Sequence, residues 1–244
     1  MRADLDRPLG RGYLIEKFCT PSRLSAHGGA DGHDCSRSGA RFPSDSARRF
    51  NPGDQYRLVF VTTGTRDASS TDISVYDAFV TTEANSNAAL FALGTTWLAI
   101  GSTSAVSAFD HIGGNFNIPI YNLAGSKVAT GASDLWDSSI GAPIEFDENG
   151  NLKSTPAWTG TNPNGTIVTG ESLGSGTAWF GTSSHTDSSW VFGGKTGATT
   201  PFSFYGISGT LTVPASVPEP GSVGLVGLAL ATLAGLRRYG SRPK

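Results

Sequence analysis

The chain has 244 residues, with 18 Lys+Arg, 20 Asp+Glu, 32 Gly, 13 Pro, 38% hydrophobic residues and a formal net charge of -2. That length can bury a core, and a charged fraction of 16% excludes both a charge-rich disordered chain and a basic nucleic-acid binder. The near-neutral total hides a division into three: 9 basic and 6 acidic residues in 1–50, 5 and 13 in 51–216, 4 and 1 in 217–244.

Residues 1–50 hold both cysteines, Cys19 and Cys35, and are rich in Arg, Ser and Gly without hydrophobic periodicity. They read as disordered. A secretory signal would need a basic start followed by 7–15 apolar residues, and the longest apolar stretch here is Tyr13-Leu14-Ile15, cut off by Glu16-Lys17. Cys19, His27, His33 and Cys35 fit no compact zinc-ligand spacing. The middle segment is free of cysteine, so it is no disulfide scaffold.

The middle opens with a strand over 54–63, where Tyr56, Leu58 and Phe60 alternate with Arg57, Val59 and Val61, giving one strongly buried face. Ser69, Ser70 and Thr71 are N-cap candidates for an amphipathic helix over 72–84, which places Tyr76, Phe79, Val80 and Ala84 at helical spacing. A short helix over 88–93 stops at Gly94, and Trp97, Ala99 and Gly101 alternate in a strand. Beyond residue 110 the chain is loop-rich with short strands. Ile118-Pro119-Ile120-Tyr121 reads as an edge strand, because Pro119 cannot donate to a ladder. Asn149-Gly150 marks a hairpin reaching Leu152. Further short strands follow at 178–181 and 190–192, and a closing strand falls within 202–213. Helices early and strands late predict an α+β domain over 51–216.

Several blocks carry a likeness: 92–99, Ile118-Pro119-Ile120-Tyr121-Asn122-Leu123, Trp136, Ile144-Glu145-Phe146-Asp147 and Trp158-Thr159-Gly160-Thr161-Asn162-Pro163-Asn164-Gly165. In this order they resemble the endostatin-type branch of the C-type-lectin-like fold. The resemblance implies a lectin-like domain with long loops that recognise polysaccharide or a protein partner. The family's tying cysteines and N-terminal zinc-binding histidines are missing here, and the five Lys/Arg of 51–216 are too sparse for a heparin-binding face, so neither zinc nor heparin binding is carried over.

Candidate sites in this segment are sparse. Asp134, Asp137, Glu145, Asp147 and Asn149 are the nearest carboxylate and amide cluster for calcium, but Asp147-Glu148-Asn149-Gly150-Asn151 lacks a terminal bidentate glutamate. A solvated hairpin turn is expected there, calcium has no supporting motif, and no cofactor is expected. Gly170-Glu171-Ser172-Leu173-Gly174 matches the nucleophile-elbow pattern, yet no helix pattern follows Ser172 and Asp187 comes after His185. A hydrolase is therefore not expected, and no regular Thr-x-Thr array supports ice binding. Of Trp97, Trp136, Trp158, Trp179 and Trp190, at least three should be core. Trp179 and Trp190, near the loop face, are the ligand-binding candidates.

The tail is the most informative stretch. Val217-Pro218-Glu219-Pro220 cannot join a helix or central strand and presents an extended backbone. An uncharged run over 221–236 follows, then Arg237-Arg238. As a helix those 16 residues span about 24 Å, a marginal membrane span helped by snorkelling arginines. Arg237 and Arg238 would stay cytoplasmic and the middle domain would lie outside. This order resembles the PEP-CTERM sorting signal of bacterial envelope proteins. The resemblance implies a membrane-embedded exosortase as transient partner and cleavage near Pro218-Glu219-Pro220. It also implies passage through the inner membrane to the cell surface or an exopolysaccharide matrix. A sorting tail without a leader in 1–50 leads to the expectation that the assigned start is wrong or that a frame error has replaced the true leader. The expected protein is thus a non-enzymatic, exported surface or matrix protein, with a purely structural matrix role as the alternative.

Overall fold

The computed structural model describes residues 50–214. Within them, 55–211 form one compact unit, and 50–54 with 212–214 belong to a second, small one. In the small unit the Gly53 N–H donates to the Val213 carbonyl and the Val213 N–H to the Asp54 carbonyl, both at 2.9 Å.

The first strand, β1 (Gln55–Val61), alternates as its sequence predicts, but both faces are buried rather than one. Val59 and Val61 enter one hydrophobic cluster with Ile100, Ile120, Trp136, Trp190, Tyr205 and Ile207. Leu58 and Phe60 enter another with Tyr76, Val80, Trp97, Trp158 and Phe204. The sheet is therefore a middle layer with a core on either side, and β1 is accordingly apolar without interruption from Leu58 to Val61.

Helix α1 (Ser74–Ser86) covers the second cluster with Tyr76, Val80 and Ala84. Its start differs from the expected Ser/Thr cap: the Asp72 carboxylate accepts the Ser74 N–H at 3.0 Å, while Ser70 Oγ accepts the Asp72 N–H. Helix α2 (Ala88–Phe91) is capped by Asn87, whose side chain accepts from Ala89 and Leu90; it ends at Phe91, shorter than the expected 88–93, and the following turn reaches Gly94 at φ 58°. Strand β2 (Trp97–Ala99) follows, then two one-turn helices that the sequence pattern did not anticipate, α3 (Ala108–His111) and α4 (Ala132–Leu135). Between them lie β3 (Ile120–Asn122) and β4 (Lys127–Ala129). After α4 come β5 (Pro156–Trp158), β6 (Thr177–Thr182), β7 (Gly194–Gly197), β8 (Ser203–Ser208) and β9 (Leu211–Thr212).

The strand order is β4-β3-β1-β8-β5-β6-β7, with β2 also on β8. The late strand β8 is the centre: it runs antiparallel to β1 and β2 and parallel to β5, and all six of its residues are buried. β3 is not the expected edge. It sits between β1 and β4, because Pro119 precedes the strand and only its carbonyl is used, accepting the Arg57 N–H at 2.9 Å. The two ends of that seven-strand order are β4 and β7, each short and each carrying a lysine, Lys127 and Lys195. Short, charged edges discourage pairing with another chain. The mixture of one large sheet and few helices makes the domain α+β.

The hairpin expected at Asn149-Gly150 is present: Phe146 bridges Leu152, and Gly150 takes the turn at φ 78°. Residues 190–192 do not form a strand. Ser188–Trp190 is a 3₁₀ turn capped by Asp187, which accepts the Ser189 N–H at 2.9 Å.

Candidate functional site

Strands β6 and β7 pair so that Trp179 faces Lys195. Directly opposite residues in an antiparallel pair project to the same side of the sheet. The backbone here is firmly held. The Trp179 carbonyl accepts the N–H groups of Thr159 (3.1 Å) and Gly160 (2.9 Å), and the Trp179 N–H donates to the Glu171 carbonyl at 3.2 Å. Phe192, positioned by its N–H bond to Ser188 O beyond the 3₁₀ turn, stacks on the indole with centroids 3.5 Å apart and planes at 11°.

Polar groups complete the cluster. The Trp179 Nε1–H donates to Glu171 Oε2 at 2.7 Å, and Lys195 Nζ pairs with Glu171 Oε1. The ammonium lies 5.9 Å from the indole centroid. The hydrogen bond from Lys195, followed by that from Trp179, holds the Glu171 carboxyl below the usual glutamate range. Glu171 is therefore an ionised, acceptor-only group beside a half-buried aromatic surface. Thr177, exposed and two residues before Trp179 on β6, shares its side of the sheet.

Of the two tryptophans expected near the loop face, Trp179 lies within strand β6 and keeps part of its surface. Trp190 is fully buried, packed against Trp136 and Tyr205 with the Tyr205 hydroxyl donating to its carbonyl at 2.9 Å, so it is a core residue and offers no surface. Trp97, Trp136 and Trp158 are buried as well. Glu171, Phe192 and Lys195 were not singled out as ligand contacts from sequence. The period-two pairing of β6 with β7 is the signal that would have found Lys195.

The carboxylates grouped by sequence proximity are separated by their local turns. Asp134 accepts from the Thr130 N–H (2.6 Å) and hydroxyl, and Asp137 accepts from the Ser139 N–H and hydroxyl, both at 3.0 Å. Asp147 closes its own hairpin through the N–H groups of Asn149 and Asn151, and the Glu148 carboxylate accepts the Thr63 N–H at 2.9 Å. Among the described residues no group of three or more His, Cys, Asp or Glu side chains is placed to hold a metal ion. Ser172 of the Gly-x-Ser-x-Gly stretch is buried with its hydroxyl unpartnered, and His185 is exposed, its Nδ1 3.7 Å from Asp187. That arrangement offers no nucleophile–base pair. A partly buried pair that sequence reading missed, His111 Nε2 with Asp77 Oδ1 at 2.9 Å, ties α3 to α1, and the same carboxylate oxygen accepts the Ala99 N–H at 2.8 Å.

Val217, Pro218, Glu219, Pro220, Arg237 and Arg238, and the cysteines and histidines of 1–50, lie outside the described residues. Residues 216–238 match the family model of the PEP-CTERM protein-sorting motif. The tail carries that motif. It marks an exported protein whose sorting involves an exosortase, a membrane protease. No curated protein matches the chain. Among the described residues no helix is long and apolar enough to cross a membrane.

Proposed function

We propose that this chain is a non-enzymatic surface or matrix protein that an exosortase cleaves near Pro218-Glu219-Pro220, releasing a domain that recognises polysaccharide through Trp179. The observation that carries the sorting half is the match of residues 216–238 to the PEP-CTERM protein-sorting motif. A rigid proline–carboxylate–proline segment followed by a short apolar run and Arg237-Arg238 would halt in the membrane with the cleavable peptide at its outer surface.

The recognition half rests on the Trp179 cluster. A half-buried indole, backed by Phe192 and flanked by an ionised carboxylate and a lysine, offers an apolar edge beside hydrogen-bonding groups. Sugars have the same two faces, since pyranose C–H groups pack on an aromatic ring while hydroxyls seek acceptors. The likeness of the middle segment to C-type-lectin-like domains fits this reading, as do the α+β architecture and the long loops between α3 and β6. Binding would be centred on Trp179.

The sorting half is tested by co-expressing the full chain, behind a functional secretion signal, with an exosortase. The wild type should lose its tail and leave the membrane fraction, whereas Glu219→Ala should accumulate there uncleaved. Equal processing of both chains would remove Glu219 from the recognition motif.

A further inference from the structure

The charge arrangement around Trp179 narrows the ligand, given the reading that Trp179 is the contact. We infer that the β6–β7 cluster takes a neutral, hydroxyl-rich sugar chain and rejects uronate or sulfated chains.

The inference follows from an account of the cations. Residues 51–216 contain five, against 13 carboxylates. Arg57 is buried, with Nε on the Ser208 carbonyl and Nη1 on the Ile112 carbonyl, both at 2.7 Å. Arg66 reaches the Val75 carbonyl and lies over the Tyr76 ring. Lys153 Nζ donates to the Thr62 and Thr63 carbonyls at 2.9 and 2.6 Å. Lys127 sits on β4, at the opposite edge of the sheet from β7. That leaves Lys195, and its ammonium is already paired with Glu171.

An anionic sugar at Trp179 would therefore meet a carboxylate, with no uncommitted Lys or Arg beside it among the described residues, in a middle segment with eight more acidic than basic groups. Like charges brought together in this way disfavour the wrong partner. A neutral sugar meets no such penalty. It can stack on the indole and donate hydroxyl protons to Glu171, whose two oxygens keep lone pairs beyond those used by Trp179 and Lys195. The exposed Thr177 hydroxyl adds a group that both donates and accepts. Lys195 then acts through Glu171, keeping it ionised and fixed in place.

The test is affinity electrophoresis of the full chain in mild detergent at low ionic strength. The gels hold either neutral polysaccharides (dextran, a β-glucan, a mannan, a galactan) or acidic ones (alginate, polygalacturonate, a sulfated galactan). The expected result is retardation by at least one neutral polysaccharide and by none of the acidic ones, with tenfold or greater loss in Trp179→Ala and retention in Trp179→Phe. Glu171→Gln keeps an acceptor for the indole N–H but releases Lys195, so it should weaken neutral binding and gain retardation by acidic chains. Equal or stronger retardation of the wild type by the acidic set overturns the neutral-ligand inference, while the Trp179 reading survives if Trp179→Ala abolishes it. Retardation that ignores Trp179→Ala overturns the site, and no retardation by any member overturns both the site and the recognition half of the proposed function.

Discussion

At the scale of single residues, the domain uses its many carboxylates mainly as turn fasteners. Asp67, Asp72, Asp137 and Asp187 each accept the N–H two residues ahead, at 2.9 to 3.0 Å. Such short-range bonds secure loops that lack regular structure, and they explain how a net-acidic chain forms no metal cluster among its described residues. Glu171 differs, because its partners come from two strands. Its carboxyl is held low first by Lys195, so the folded pKa lies below the unfolded one. The interaction is complete above the ordinary glutamate range and is lost as pH falls through the depressed value. A fluorescence titration should show an indole signal changing at that pH in the wild type and absent from Glu171→Gln. The two tryptophans once paired as ligand candidates also separate energetically. Trp190→Ala should cost about 3–5 kcal/mol of stability and Trp179→Ala about 1 kcal/mol, as read from urea denaturation midpoints. Nothing in the run Trp190-Val191-Phe192 distinguishes a strand from the end of a turn, with Trp190 and Val191 in the core and Phe192 partly buried beyond it. That placement depends on Asp187 capping and on how closely β6 approaches.

At the scale of elements, the close approach of β6 to the 3₁₀ turn is a strict constraint. A Cβ on Gly181 would stand 1.8 Å from the Trp190 carbonyl oxygen, so any side chain there must push the two apart. Gly181→Ala should therefore destabilise the domain by about 1–3 kcal/mol, as overpacking does. It should also disturb the stacking of Phe192 on Trp179, visible as altered near-ultraviolet circular dichroism. Unchanged thermal stability would refute this packing. The elements with long patterns were legible from sequence: β1 from the alternation of Tyr56, Leu58 and Phe60 with Arg57, Val59 and Val61, β8 from the alternation of Phe204, Gly206 and Ser208 with Tyr205 and Ile207, α1 from Tyr76, Val80 and Ala84, and the 146–152 hairpin from Asn149-Gly150. The single-turn helices α3 and α4 were not, since four residues are too few to display a 3.6-residue period. The interior place of β3 was hidden for a different reason. Pro119 suggested an edge by lacking a donor, but the ladder begins one residue later and asks only for its carbonyl. Likewise, Asp134 and Asp147 are near in sequence but are held in separate turns, a separation that spacing alone does not reveal.

At the scale of the whole molecule, the division of charge matches a division of labour. The middle segment, with 5 basic and 13 acidic residues, is the part that would meet the exterior, and the tail from 217 carries 4 basic residues against Glu219. The PEP-CTERM match over residues 216–238 falls on that tail and begins just past β9, so removal of the tail would leave the described domain whole. The sorting motif was legible from sequence because it is a linear signal of proline, carboxylate, apolar run and arginines. The Trp179 site was only partly so, because Glu171, Phe192 and Lys195 converge on it from a loop, the segment after a turn, and a neighbouring strand. The most direct measurement of the central claim is peptide mapping of the protein recovered from the envelope and extracellular matrix of cells that produce it. The account predicts abundant peptides from residues 51–216 in the surface and matrix fractions and none extending past Pro220 to Lys244. Recovery of the protein with its tail intact through Lys244, and only inside the cell, would contradict it.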